Sequence, residues 1–90
     1  MYLHVGQDKV ITFDDIIGIF DLDTSTVSKN TRNYLSVAEK AHEVENVCYD
    51  LPKSFIVCKN KKGERKVYIS QISSQTLLKR TNYVDSLTNI

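Results

Sequence analysis

The sequence predicts an α+β fold: a small, antiparallel, β-rich sheet of two hairpins plus central strands, with one amphipathic helix and a short C-terminal helix. Three observations lead there. Short runs of β-branched and aromatic residues recur at Tyr2–Val5, Lys9–Thr12, Ile16–Phe20, Ser54–Cys58 and Arg65–Ser70. One longer stretch after Asp23 carries apolar residues at spacings of three and four. Two of the β runs are separated only by Lys59-Asn60-Lys61-Lys62-Gly63-Glu64, a polar tip whose glycine tolerates positive φ.

In chain order, Tyr2–Val5 and Lys9–Thr12 flank Gly6-Gln7-Asp8 and read as an opening hairpin. Asp14 and Asp15 precede Ile16-Ile17-Gly18-Ile19-Phe20, which reads as a mostly buried strand at the centre of the sheet. Asp23, Thr24 and Ser25 offer N-cap oxygens to a helix whose face is Val27, Thr31, Tyr34, Leu35, Ala38 and Ala41, ending near Ala41 or His42. Residues 43–49 read as a further strand with a broken period of two. Pro52 has no N–H for a ladder bond and belongs in a connection. The second hairpin, 54–70, is the clearest element. Ser73 or Ser74 can cap a closing helix with Leu77, Leu78 and Thr81 on one face, and past Asn82 the tail reads as polar and frayed.

Ninety residues with 41% apolar composition support one core, so residues 1–90 are expected to form a single domain. At this size folding buries roughly 60–65% of the unfolded surface, and self-association would relieve the marginal stability. The longest apolar runs are far too short to cross a bilayer, and Met1–Gly6 lacks the features of a secretory signal. A cytoplasmic location follows, with Cys48 and Cys58 as free, buried thiols.

The net charge of +1 conceals a split. Residues 1–50 hold four Lys/Arg and nine Asp/Glu, whereas residues 51–90 hold eight and two. Such asymmetry suits a basic face for an anionic polymer or a surface complementary to another copy, unless folding interleaves the halves and cancels the field.

Catalytic signatures are missing. His4 sits in a strand pattern and His42 near a helix end, neither in a motif, and the two cysteines lack zinc spacing. Asp14-Asp15 reads as turn chemistry and Asp21-Leu22-Asp23-Thr24 as helix capping rather than a calcium loop. Three glycines leave no phosphate cradle. No enzyme, cofactor, metal or small-molecule substrate is expected. What remains is the basic set Lys53, Lys59, Lys61, Lys62, Arg65 and Lys66, joined by Lys79 and Arg80 from the last helix. These cations could contact DNA phosphates. A solvated tip that discourages edge pairing explains the same residues.

The opening Tyr2-Leu3-His4-Val5-Gly6, the runs Val10-Ile11 and Ile16-Ile17-Gly18-Ile19, and the late Tyr68–Arg80 together resemble the extracellular matrix regulator family (RemA/RemB-type), closest to its RemB branch, over about residues 2 to 81. The resemblance implies a bacterial transcription regulator of biofilm matrix genes with a LytTR-like fold, assembled into a ring-shaped homo-oligomer. It also implies arginine contacts to DNA at positions that here hold Asp15, Leu51 and Pro52. Lys53 and the Lys59–Lys66 cluster would have to substitute. Two readings therefore stand: an oligomeric regulator that binds duplex DNA, and a ring-forming structural or co-regulatory module that does not.

Overall fold

The computed structural model describes residues 1–22, 29–48 and 50–88, of which residues 82–88 by backbone alone. Two strands, β1 (Tyr2–Gly6) and β2 (Lys9–Thr12), open the chain, followed by a 3-10 turn (Phe13–Asp15) and β3 (Ile16–Asp21). Then come α1 (Lys29–Lys40), β4 (Val44–Asn46), β5 (Ser54–Lys59), β6 (Arg65–Ser70) and α2 (Ser74–Thr88). The α+β class and both hairpins match expectation. Strands β1 and β2 form their own antiparallel pair, and the other four form a sheet ordered β3-β5-β6-β4.

That sheet is mixed rather than wholly antiparallel. Strand β3 is antiparallel to β5 and β5 to β6, but β4 runs parallel to β6. Helix α1 is the reason: it leaves the β3 edge, crosses one face and delivers β4 to the far edge in the direction β3 had. A crossover of this length permits parallel pairing, which a tight turn cannot.

Both faces of the sheet are covered. On one, Phe55, Val57 and Val67 pack with Ala38 of α1, joined by Tyr34, Leu35, Val44 and Ile69. On the other, Ile56, Cys58 and Tyr68 pack with Leu3, Val5 and Ile11 of the opening hairpin, Val47, and Leu77 of α2. Strand β5 is consequently buried from Ser54 through Cys58, as a continuous apolar run covered on two sides should be.

Strand β3 is not the centre of the sheet. It is an edge strand, with Ile17 61% and Phe20 46% exposed. A bulge between Ile16 and Gly18 interrupts its register with β5, which blunts an edge against further pairing. Of the two cysteines only Cys58 is buried, whereas Cys48 is half-buried; both are free.

The opening hairpin is fastened by polar groups as well as by its core residues. Ser70, fully buried, donates from Oγ to the carbonyl of Val5 and accepts the N–H of Ile72. Buried Ser54 donates to the carbonyl of Ile72 at 2.7 Å, which ties the segment after β6 to the start of β5 and so braces Ser70 beneath the hairpin. Arg80 of α2 reaches the His4 carbonyl at 3.0 Å.

The capping residues expected for the first helix, Asp23, Thr24 and Ser25, lie outside the described residues. Its C-terminus is fully visible. Glu43 N–H bonds to Ala38 O at 2.9 Å and His42 N–H to Glu39 O at 3.0 Å, the paired bonds of a Schellman cap with His42 at φ 60. A left-handed non-glycine residue costs about 1–2 kcal/mol, and glycine returns about 0.5–1 kcal/mol as unfolded-state entropy. His42→Gly is therefore expected to stabilise the fold by about 0.5 kcal/mol, read as a rise of roughly 2–4 °C in the thermal midpoint.

Helix α2 begins as foreseen, with Ser73 Oγ accepting the N–H of Thr76 at 3.2 Å. It then continues to Thr88 instead of fraying after Asn82. Ser74–Thr88 contains neither glycine nor proline, so no residue breaks it. Leu77 and Leu78 do not share a face: Leu77 is fully buried and Leu78 is 43% exposed.

Candidate nucleic-acid interface

The tip of the β5–β6 hairpin gathers four of the six candidate cations. Lys59 and Arg65 are direct cross-strand partners, and Lys61 and Lys62 occupy the turn between them; all four are exposed. Like charges placed opposite one another disfavour a hairpin. Asn60 offsets this. Its Oδ1 accepts the N–H of Lys62 at 2.9 Å and of Glu64 at 3.0 Å, its carbonyl accepts Gly63 N–H at 2.9 Å, and its own N–H reaches Glu64 O at 3.0 Å. Gly63 closes the turn at φ 83. The lysines thus project from an ordered turn.

The remaining cations stand elsewhere. Lys53 precedes β5 at its opposite end, six residue steps or roughly 20 Å from Lys59; its backbone is tied to Ser70 O and Leu22 N–H, both at 2.8 Å. Lys66, opposite Cys58, turns to the other face and pairs with Glu45 of β4 at 3.3 Å; Lys9 approaches the same carboxylate at 3.7 Å. Lys9 also lies 5.3 Å from the Tyr68 ring centre. Lys79 and Arg80 line a separate groove of about 650 Å³ with Tyr2, His4 and Phe13.

Acidic residues from the first half of the chain interleave with this basic surface. Asp14 and Asp15 line an open groove of about 470 Å³ with Tyr2, Lys61 and Lys62. Asp15 also enters a groove of about 680 Å³ with His42, Arg65 and Lys66. The charge split along the sequence is therefore partly cancelled in space. Burial, with Asp15's charge adding, pushes the Cys58 thiol up from 9.0 to about 11. The folded state favours the protonated thiol, so this contribution to stability is present below about pH 9 and lost as pH rises towards 11. Burial likewise raises the Tyr68 phenol, with the Cys58 and Glu45 charges assisting. Among the described residues no three His, Cys, Asp or Glu side chains gather to hold a metal ion, and no helix is long and apolar enough to cross a membrane.

Sequence reasoning overlooked Asn60, Glu45 and Tyr2. Asn60 had a readable signal: Asn at the first and Gly at the fourth position of a four-residue turn. Glu45 had none, because its cations come from β6 and from the opening hairpin, which approach β4 only in the folded protein.

Fold and surface together define a class: a small α+β protein with a four-stranded mixed sheet and an ordered, cation-rich hairpin tip. No family model matches the chain. It is 33% identical over 84 residues, covering 93% of this chain and 94% of the relative, to extracellular matrix regulatory protein B of Bacillus subtilis (strain 168). The chain belongs to the extracellular matrix regulator family.

Proposed function

We propose that this protein is a non-enzymatic, cytoplasmic bacterial regulator of biofilm matrix gene expression that binds duplex DNA as a homo-oligomer. The observation that carries the reading is the tip, where Lys59, Lys61, Lys62 and Arg65 project from a turn organised by Asn60. The relative's name, which describes a matrix regulator, supplies the biological role. One tip offers few phosphate contacts, so affinity would come from several tips acting together in an oligomer. Lys53 and Lys66 contribute less, the first by distance and the second by its pairing with Glu45.

Four phosphate contacts per tip correspond to a slope of about 3–4 in the logarithm of affinity against the logarithm of salt for each tip engaged. Fluorescence anisotropy with labelled duplex DNA at low and physiological salt measures it. Replacing Lys59, Lys61, Lys62 and Arg65 by alanine is expected to remove most of that slope. No binding at micromolar protein in low salt would reject the reading.

A second reading, self-assembly without direct DNA contact, is favoured by the exposed Ile17 and Phe20 beside an apolar groove of about 370 Å³ lined also by Tyr34 and Phe55. Exposed apolar surface of this kind suits a protein partner. Light scattering that returns a monomer at low and high salt alike rejects it.

A further inference from the structure

Tyr2 occupies a position that the hairpin tip by itself does not explain. Its side chain is 73% exposed at the start of β1, an aromatic ring held open to solvent. It lines two adjoining grooves, one shared with Lys61 and Lys62 of the tip, the other with Lys79 and Arg80 of α2. The chain thus has cations on either side of one exposed aromatic ring. The second groove adds His4 and the half-buried Phe13 along its wall. Arg80 is anchored there by its bond to the His4 carbonyl, so the cationic end of the groove is held in place.

We infer that this track, from the tip across Tyr2 to Lys79 and Arg80, binds single-stranded DNA, with a base stacked on Tyr2 and phosphates held by the cations on both sides. Alternating cations and exposed rings are what single strands require, because an unpaired base can lay its face on a ring whereas a base inside a duplex cannot. Asp14, Asp15 and Glu64, which line the same groove as Lys61 and Lys62, repel a phosphodiester. Stacking on Tyr2 therefore has to supply a large share of the affinity. The inference deepens the DNA-binding reading of the tip and shares Lys61 and Lys62 with it.

The test is anisotropy with a labelled oligo-dT of roughly 15 nucleotides, within the site sizes of single-strand binders, beside a duplex of equal length. Tyr2→Ala is expected to weaken oligo-dT binding by about 5- to 100-fold, Tyr2→Phe to retain it, and neither to change duplex affinity appreciably. Lys79→Ala should lower the salt slope for oligo-dT by about 0.7. Thermal unfolding of each variant establishes that it is folded. Tyr2→Ala binding oligo-dT as the native chain does would overturn the inference while leaving duplex binding intact. Oligo-dT binding that depends on Tyr2, with no duplex binding, would support the track and reject the duplex reading. Absence of binding to either DNA would overturn both.

Discussion

Gly6→Ala is expected to destabilise the protein by about 3 kcal/mol or more and to lower the thermal midpoint by roughly 10–20 °C. Two independent penalties combine. Gly6 has φ 148, a backbone region that side-chain-bearing residues rarely occupy, and a Cβ there would lie 2.3 Å from the carbonyl oxygen of Val47. That carbonyl has little freedom to retreat. Val47 is itself buried in the core, and its N–H is bonded to Ile69 O at 2.9 Å, continuing the β4–β6 ladder. Relieving the clash would move the opening hairpin off the sheet and loosen Val5 and Leu3, both fully buried. Gly63→Ala is the control. Gly63 has φ 83, but a Cβ there meets nothing nearer than Lys59 Cε at 3.9 Å, so only the backbone cost of about 1–2 kcal/mol applies. Chemical denaturation of both variants reads the difference, and equal losses would show that the Gly6–Val47 approach is not tight.

Leu77→Ala should cost about 3 kcal/mol, within the range for deleting a fully buried leucine side chain. Leu77 is the buried anchor of α2, placed among Leu3, Val5, Ile56 and Tyr68, so the cavity would open where hairpin, sheet and helix meet. Leu78→Ala, one position on and 43% exposed, is expected to cost well under about 1 kcal/mol. Urea midpoints for the pair decide it: similar losses at the two positions would mean that α2 does not dock through Leu77.

Much of this architecture was legible in local pattern. The β5–β6 hairpin could be read from its apolar strands and glycine-bearing tip, and α1 from its three-and-four spacing, because those signals involve residues close in sequence. The tip cations Lys59, Lys61, Lys62 and Arg65 were legible for the same reason: a hairpin brings its own ends together. Lys53 and Lys66 stand apart from the tip in space. Adjacency in sequence concealed the length of β5, which carries Lys53 away from the tip, and the strand alternation that turns Lys66 toward Glu45. Tyr2 gave no signal, since the cations around it come from residues 61–62 and 79–80.

Local pattern carried the strands and helices, the α+β class, the basic turn and, through the resemblance, the family. Strand order, strand direction and charge distribution arise instead from long-range packing. Ile16–Phe20 and Ser54–Cys58 are both short apolar runs, yet β3 lies at an edge and β5 at the centre. A strand's own residues specify that it will pair, whereas its neighbours depend on where α1 carries the chain and which faces the opening hairpin and α2 cover. The same long-range placement sets Asp14 and Asp15 beside the tip lysines, so a charge split of nine acids against eight bases along the chain becomes a mixed surface in space.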